Sequence, residues 1–292
     1  MNHGVVDPAR LGQTRLPDDD RNLGWAEWGP ETGSPVLFCP GAAMSRWLGF
    51  GDPILPELGV RLIAVDRPGL GASDPAPSRT LLDWAEDIRR FIDARGLAAP
   101  AIIGFSQGAP FALACAAAGV VTGAAVVSGT DELANPAFAD LLNPDVRRIV
   151  EMVAADPASA EGFFASMNAD RMWTMVTGMS AEVDREVYAD PPVERAFKRA
   201  MAEGFAQGPA GYVRDTMIAM ARWPFDPAAI TVPVDLWYGE HDASPVHSPD
   251  VGASLAGRIP TARRHVLPEG GALLWTHGGA ILRSLLDRAG RR

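Results

Sequence analysis

The sequence predicts an α/β protein: a mostly parallel twisted sheet flanked by helices, with a helical insertion. Short apolar runs alternate with helical patterns at both ends of the 292-residue chain, an order typical of parallel strands joined by helices. Residues 131–223 interrupt this order, because they contain helical patterns and turn signals but no convincing strand. We therefore expect a core formed by residues 1–130 and 224–292, with a helical cap at residues 131–223.

Short apolar runs define the predicted strands. They are Val36–Phe38, Leu62–Val65, Ala101–Ile103, Ala124–Val127, Val234–Tyr238 and Arg264–Leu267. Thr80, with Asp83 three residues later, predicts a capped helix start, and Gly96 predicts the end of that helix. A helix of small residues is expected over Ala109–Ala118 and a final helix over about Gly279–Arg288.

Composition and charge exclude several classes of protein. The net charge of −10 disfavours nucleic-acid binding, because contacts to phosphates need clustered Lys and Arg. No apolar run approaches the roughly 18 to 20 residues of a membrane span, and residues 2–20 lack the apolar region of a signal peptide. Cys39 and Cys115 are interpreted as reduced core residues. We expect a cytoplasmic protein, and the oligomeric state stays open.

A G-x-S-x-G motif at Gly104–Gly108 supplies the candidate nucleophile, Ser106. A predicted strand ends just before the motif and a predicted helix follows it, which is the context of a nucleophile elbow. Small residues are needed at both ends of the motif, because the turn is sharp and its neighbours crowd the backbone. Backbone N–H groups at the start of the following helix can stabilise an oxyanion.

Around this motif the chain resembles the α/β-hydrolase superfamily over almost its whole length. Residues 38–42 are similar to the family's oxyanion loop, although Pro40 stands where a histidine is more common. Residues 66–73 are similar to the D-x-x-G-x-G-x-S turn of the family, and residues 236–242 to the strand end that carries its acid.

The resemblance implies a role for several residues. Ser106 would be the nucleophile and Asp242 the acid that orients and stabilises an imidazolium. The backbone N–H groups of Ala42 and Gln107 would form the oxyanion hole.

The resemblance also implies a histidine after the last strand, and the position that matches is Ala272. Alanine has no proton acceptor, and loss of the triad histidine costs roughly 10⁶ in kcat in a serine protease. We therefore expect a hydrolase inactivated by a His-to-Ala change at Ala272. Two alternatives stay open: a natural loss of hydrolysis, and a displaced base, for which His277 is the nearest candidate. His247 lies in a Ser/Pro loop and is a weaker candidate.

The expected reaction is acyl transfer from a medium-sized hydrophobic ester, lactone or thioester through an acyl-enzyme. Met167, Trp173 and Met217 belong to a Met-rich and aromatic part of the cap and are expected to line the substrate pocket. No metal or other cofactor is expected, since the histidine spacing offers no metal-binding pair. A proline iminopeptidase-like enzyme, a carbon–carbon bond hydrolase, and a non-hydrolytic ligand-binding protein or cyclase remain alternatives.

Overall fold

The computed structural model describes residues 3–290. Eight strands within these residues form one sheet. The strands are β1 (Arg10–Arg15), β2 (Asn22–Trp28), β3 (Ser34–Cys39), β4 (Val60–Val65), β5 (Ala101–Phe105), β6 (Ala124–Val127), β7 (Val234–Gly239) and β8 (Ala262–Leu267). Their order in the sheet is β1-β2-β4-β3-β5-β6-β7-β8. β2 pairs antiparallel with β1 and β4, and the remaining pairs are parallel. The predicted fold class is confirmed, although the sequence patterns did not reveal β1 and β2.

Helices flank the sheet and fill the long connection between β6 and β7. They are α1 (Ile54–Glu57), α2 (Leu81–Arg95), α3 (Gly108–Ala117), α4 (Pro144–Ala155), α5 (Pro157–Phe164), α6 (Ala169–Met179), α7 (Glu182–Tyr188), α8 (Pro191–Gly204), α9 (Ala210–Met220), α10 (Ala253–Arg258) and α11 (Leu273–Arg288). α2 has the predicted capping box between Thr80 and Asp83, and it ends at Gly96 with φ 59°. α11 begins several residues earlier than predicted, at Leu273.

The central strands are buried on both faces of the sheet. Successive side chains of a strand point to opposite faces, so Leu37 and Ile102 pack with α2 and α3. Phe38 and Ile103 lie on the other face and pack with α11. This two-sided burial fixes the register of the parallel strands and therefore the position of the loops at their carboxyl ends.

The connection between β6 and β7 contains α4 to α9 and, within the described residues, no strand. Its helices α8 and α9 pack closely on loops at the carboxyl edge of the sheet. A Cβ atom on Gly204 of α8 would lie 1.9 Å from the carbonyl oxygen of Ala43, and one on Gly211 of α9 would lie 2.4 Å from that of Gly69. Within residues 3–290, none of the helices combines the length and apolar content that a membrane span requires.

Candidate active site

Ser106 lies at the sharp turn between β5 and α3. Its φ is 51°, in the left-handed region that most residues avoid, and its N–H donates to the carbonyl of Val127 at 3.1 Å. A Cβ atom on Gly108 would lie 2.0 Å from the carbonyl oxygen of Cys39, and one on Gly104 would lie 2.6 Å from that of Gly108. Only glycine fits at these two positions, so the strained elbow predicted for the motif is present.

His247 connects Ser106 to Asp242. Its Nε2 lies 2.9 Å from Ser106 Oγ, and its Nδ1 lies 2.7 Å from Asp242 Oδ2. The other oxygen of Asp242 accepts the N–H of Ser244 at 3.0 Å, which fixes the carboxylate. The side chains of His247 and Asp242 are only 12% and 6% exposed. An imidazole held in this way can accept the serine proton, while the carboxylate stabilises the imidazolium that forms.

The structure contradicts the expectation that Ser106 lacks a neighbouring imidazole. Ala272, where the sequence resemblance placed the base, is the buried residue that precedes α11. His277, the substitute named from the sequence, contacts Thr276 Oγ1 at 3.0 Å and Glu269 Oε1 at 3.2 Å instead of the serine. The displaced-base alternative therefore fits the geometry, but with His247 in place of His277.

The loop that carries His247 is anchored on both sides of the imidazole. Val246 packs on an apolar cluster that includes Phe138 and Leu142. On the other side, the N–H of Ser248 donates to the carbonyl of Gly129 at 3.0 Å, and Ser248 Oγ lies 3.4 Å from Asp131 Oδ2. The sequence signal for this arrangement is modest. It consists of Ser-Pro turn residues on both sides of a histidine that follows Asp242 by five residues.

The predicted oxyanion donors lie beside the serine. A Cβ atom on Gly41 would lie 3.5 Å from Ser106 Cβ, so the loop that carries Ala42 passes over the serine. Neither the N–H of Ala42 nor that of Gln107 has an acceptor among residues 3–290. The guanidinium of Arg67 fixes this loop by donating to the carbonyls of Pro40 and Gly41 at 2.7 and 2.8 Å. These two N–H groups, from the loop after β3 and from the start of α3, are of the kind that a developing oxyanion requires.

A small cavity of about 60 Å³ lies over these groups, and Ala42, Ser106, Asp242 and His247 line it. One wall is a stripe on α6, formed by Met172, Met175, Val176 and Met179. These positions share one helix face. Phe105, Tyr188 and Phe197 also contribute to the apolar lining.

The three pocket residues chosen from the sequence do not line this cavity. Trp173 lies outside the α6 stripe, and its ring packs against Phe197 at 6.2 Å, between the ring centroids. Met217 is buried, and Met167 packs against the same apolar core. The cavity is lined by methionines at other positions of the same region, because helix phase decides which side chains face the serine.

A second carboxylate, that of Asp184 on α7, also lines the cavity. Burial raises its pKa above the ordinary value, although it accepts hydrogen bonds from the backbone N–H groups of Gly271 and Ala272. Within residues 3–290, no group of three or more His, Cys, Asp or Glu side chains is arranged to bind a metal ion.

Comparisons with known proteins agree with the fold described above. A family model described as "Alpha/beta hydrolase family" matches residues 36–283. A comparison with curated proteins finds no match. Among solved structures, an esterase from Rhodococcus sp. ECU1013 is 20% identical with a TM-score of 0.67, covering 96% of this chain and 99% of its own.

Two further structures are similar over nearly the whole chain. An enol-lactonase from Burkholderia xenovorans LB400 is 18% identical with a TM-score of 0.67, over 96% of this chain and 100% of its own. An alpha/beta hydrolase fold protein from Nakamurella multipartita is 23% identical with a TM-score of 0.63, again over 96% and 100% of the two chains. At these identities the likeness describes the fold.

Proposed function

The chain belongs to the alpha/beta hydrolase family, and on that basis we propose that it is a serine hydrolase with the triad Ser106, His247 and Asp242. The observation that carries the proposal is the imidazole of His247, which lies 2.9 Å from Ser106 Oγ and 2.7 Å from Asp242 Oδ2. With this base in place, the alanine at position 272 does not leave Ser106 without a general base. The chain as it stands is an active enzyme.

The proposed reaction follows from the roles of the three side chains. Ser106 Oγ attacks the substrate carbonyl carbon while His247 Nε2 takes the hydroxyl proton. Asp242 stabilises the resulting imidazolium through the Nδ1–H. When the tetrahedral intermediate collapses, the imidazolium gives its proton to the leaving alcohol or thiol, and an acyl-serine remains. A water molecule then loses a proton to His247 and attacks the acyl carbon. When this second tetrahedral intermediate collapses, the bond between the acyl carbon and Ser106 Oγ breaks, the imidazolium returns its proton to Ser106 Oγ, and the acid leaves.

The two free N–H groups beside the serine stabilise the negative oxygen of each tetrahedral intermediate. Ala42 and Gln107 supply them, from a loop fixed by Arg67 and from the start of α3. Removal of one such donor costs about 10² to 10³ in kcat in a serine protease.

The cavity favours an apolar acyl group. Its lining of methionine, valine and aromatic side chains adapts to irregular apolar shapes. At about 60 Å³ it holds a short acyl chain. We propose that the helices of residues 131–223 act as a cap over the site, and that α6 and α7 must move outward to admit a medium-sized ester, lactone or thioester. An esterase and an enol-lactonase among the similar structures agree with this class of substrate.

The test is hydrolysis of p-nitrophenyl esters of increasing chain length. We expect turnover of the acetate and butyrate by the wild-type protein, with slower turnover of long-chain esters. Ser106→Ala should abolish turnover, because it removes the attacking oxygen. Acylation of Ser106 should be visible as a mass increase when the ester is mixed with protein and quenched quickly.

The matched control is Ser78→Ala, which removes an exposed hydroxyl far along the chain from the elbow. It should leave kcat and KM unchanged. Equal rates for the wild-type and Ser106→Ala proteins with every ester would contradict the proposed function.

A further inference from the structure

Asp184 joins the helical connection to the segment that precedes α11. Its Oδ2 accepts the N–H of Gly271 at 2.8 Å, and its Oδ1 accepts the N–H of Ala272 at 2.9 Å. The residue is buried and comes from α7, about 90 positions away in the chain. A carboxylate that accepts two backbone N–H groups at the start of a helix forms strong, charge-assisted bonds.

The segment held by Asp184 lies directly against the triad acid. A Cβ atom on Gly271 would lie 2.8 Å from Asp242 Oδ2, and a Cβ atom on Gly270 would lie 2.3 Å from Asp184 Oδ1. The two glycines therefore pass between the two carboxylates with no room for a side chain. A shift of this backbone would change the packing of Asp242, and through it the orientation of His247.

Asp184 also interacts electrostatically with the triad. Burial raises its pKa, the two backbone N–H bonds lower it, the charge of Asp242 raises it and that of His247 lowers it. Tyr188, on the same helix, is a further buried ionisable group beside this carboxylate. The interaction is mutual, so a negative charge at Asp184 favours the imidazolium that forms at His247 during attack.

We propose that Asp184 is a positioning residue for the triad. It holds residues 270–272 against Asp242. The Ser106–His247–Asp242 arrangement therefore depends on the position of α7, which carries Asp184. This inference rests on the proposed serine hydrolase function.

The test compares Asp184→Asn with Glu186→Gln. Both remove one negative charge from α7, but Glu186 is exposed and makes no contact with the triad. For Asp184→Asn we expect kcat with p-nitrophenyl acetate to fall about tenfold, with a smaller change in KM. The acid limb of the pH profile of kcat/KM should move to lower pH, because the charge that favours the imidazolium is gone. Glu186→Gln should match the wild-type protein in each respect.

Hydrogen exchange of the Gly271 and Ala272 amides gives a readout that does not need activity. It should become faster in Asp184→Asn and stay unchanged in Glu186→Gln. If Asp184→Asn does not fold, Gly270→Ala replaces it, since the added methyl group pushes the carboxylate away from the other side.

The outcomes separate the two proposals. An active wild-type protein whose Asp184→Asn variant keeps its kcat, pH profile and amide exchange overturns the role of Asp184 alone. Equal loss in the Glu186→Gln variant overturns it too, since the effect then comes from helix charge in general. A wild-type protein no faster than Ser106→Ala overturns the proposed function, and the positioning role with it.

Discussion

Two loops meet at the carboxyl edge of the sheet, and they differ in what they bring to Ser106. The loop after β8, residues 268–272, has the glycines after which the family resemblance implies a histidine, yet it ends in Ala272. The loop after β7, residues 240–252, carries both Asp242 and His247. The first loop has the expected sequence pattern, and the second has the chemical groups.

The two loops pack against each other beyond the ends of β7 and β8. β7 and β8 are parallel neighbours with Gly239 opposite Leu267, so both strands end at the same level. The N–H of Glu240 donates to the carbonyl of Leu267 at 2.8 Å, and that of His241 donates to the carbonyl of Glu269 at 2.8 Å. The segment that contains Ala272 and the segment that contains His247 therefore lie side by side at the edge of the sheet near Ser106.

The largest expected effect comes from removing the imidazole on the loop after β7. For His247→Ala we expect kcat for ester hydrolysis to fall by about 10⁴ to 10⁶, because the general base is lost. His277→Ala, at the base named from the sequence, should keep wild-type rates. Steady-state kinetics with p-nitrophenyl acetate measures both. A His247→Ala protein that retains activity, paired with an inactive His277→Ala protein, would reverse the assignment.

An intermediate effect is expected when a histidine is placed on the loop after β8. Ala272 is buried, so Ala272→His forces a larger side chain into a packed region and should lower the free energy of unfolding by about 1 to 3 kcal/mol. We expect no gain in kcat, since the position beside Ser106 is already occupied. Urea unfolding and ester kinetics measure the two quantities.

Ala280→His is the control for that substitution, because Ala280 is exposed on α11, the helix that Ala272 precedes. It should leave stability nearly unchanged. A rise in kcat for Ala272→His would instead mean that the loop after β8 supplies the better position for the base.

The smallest expected effect concerns the anchor of the loop after β7. Burial raises the pKa of Asp131, which contacts Ser248 beside the imidazole, to about 6 from an ordinary 3.8. A raised carboxyl pKa stabilises the folded state fully below the unfolded-state value, and this contribution is lost as pH rises through the folded-state value. Between about pH 4 and pH 6, the unfolding free energy of the wild-type protein should therefore fall relative to that of Asp131→Asn.

Urea unfolding of both proteins across this pH range checks the slope. Asp140→Asn, at a fully exposed carboxylate, serves as the control and should differ from the wild-type protein by a constant amount. A constant difference for Asp131→Asn as well would show that Asp131 keeps its ordinary pKa.

Sequence reasoning was reliable where the determinants are local. The turn at Ser106 requires glycines two residues to either side, and the capping box of α2 spans four residues, so both can be seen in a short window. Asp242 lies three residues after the end of β7, within the short segment that carries the family resemblance. β1 and β2 escaped notice because they lie at the antiparallel edge of the sheet, where the apolar pattern is weaker.

The sequence patterns did not single out His247, because its position depends on contacts with residues distant in the chain. His247 is 141 residues from Ser106, and its loop is anchored by Gly129 and Asp131, whose nearness no short pattern reveals. The resemblance to other sequences directed attention to Ala272. The side chains that line the cavity are hard to predict for a related reason. The rotation of α6 about its axis depends on how the helix packs, and this rotation decides that Met172 faces the cavity while Trp173 does not.

Asp242 and His247 lie on one loop, so the position of both side chains depends on that loop. Proteins open locally in cooperative segments whose free energies can be far below that of global unfolding. An opening of residues 243–251 would separate His247 from Ser106 and from Asp242 at the same time, while Ser106 stays on its rigid turn. For the proposed triad, the fraction of molecules in which Ser106, His247 and Asp242 are assembled therefore depends on how firmly this loop is anchored. Tightening its anchors would raise that fraction without altering any group that touches the substrate.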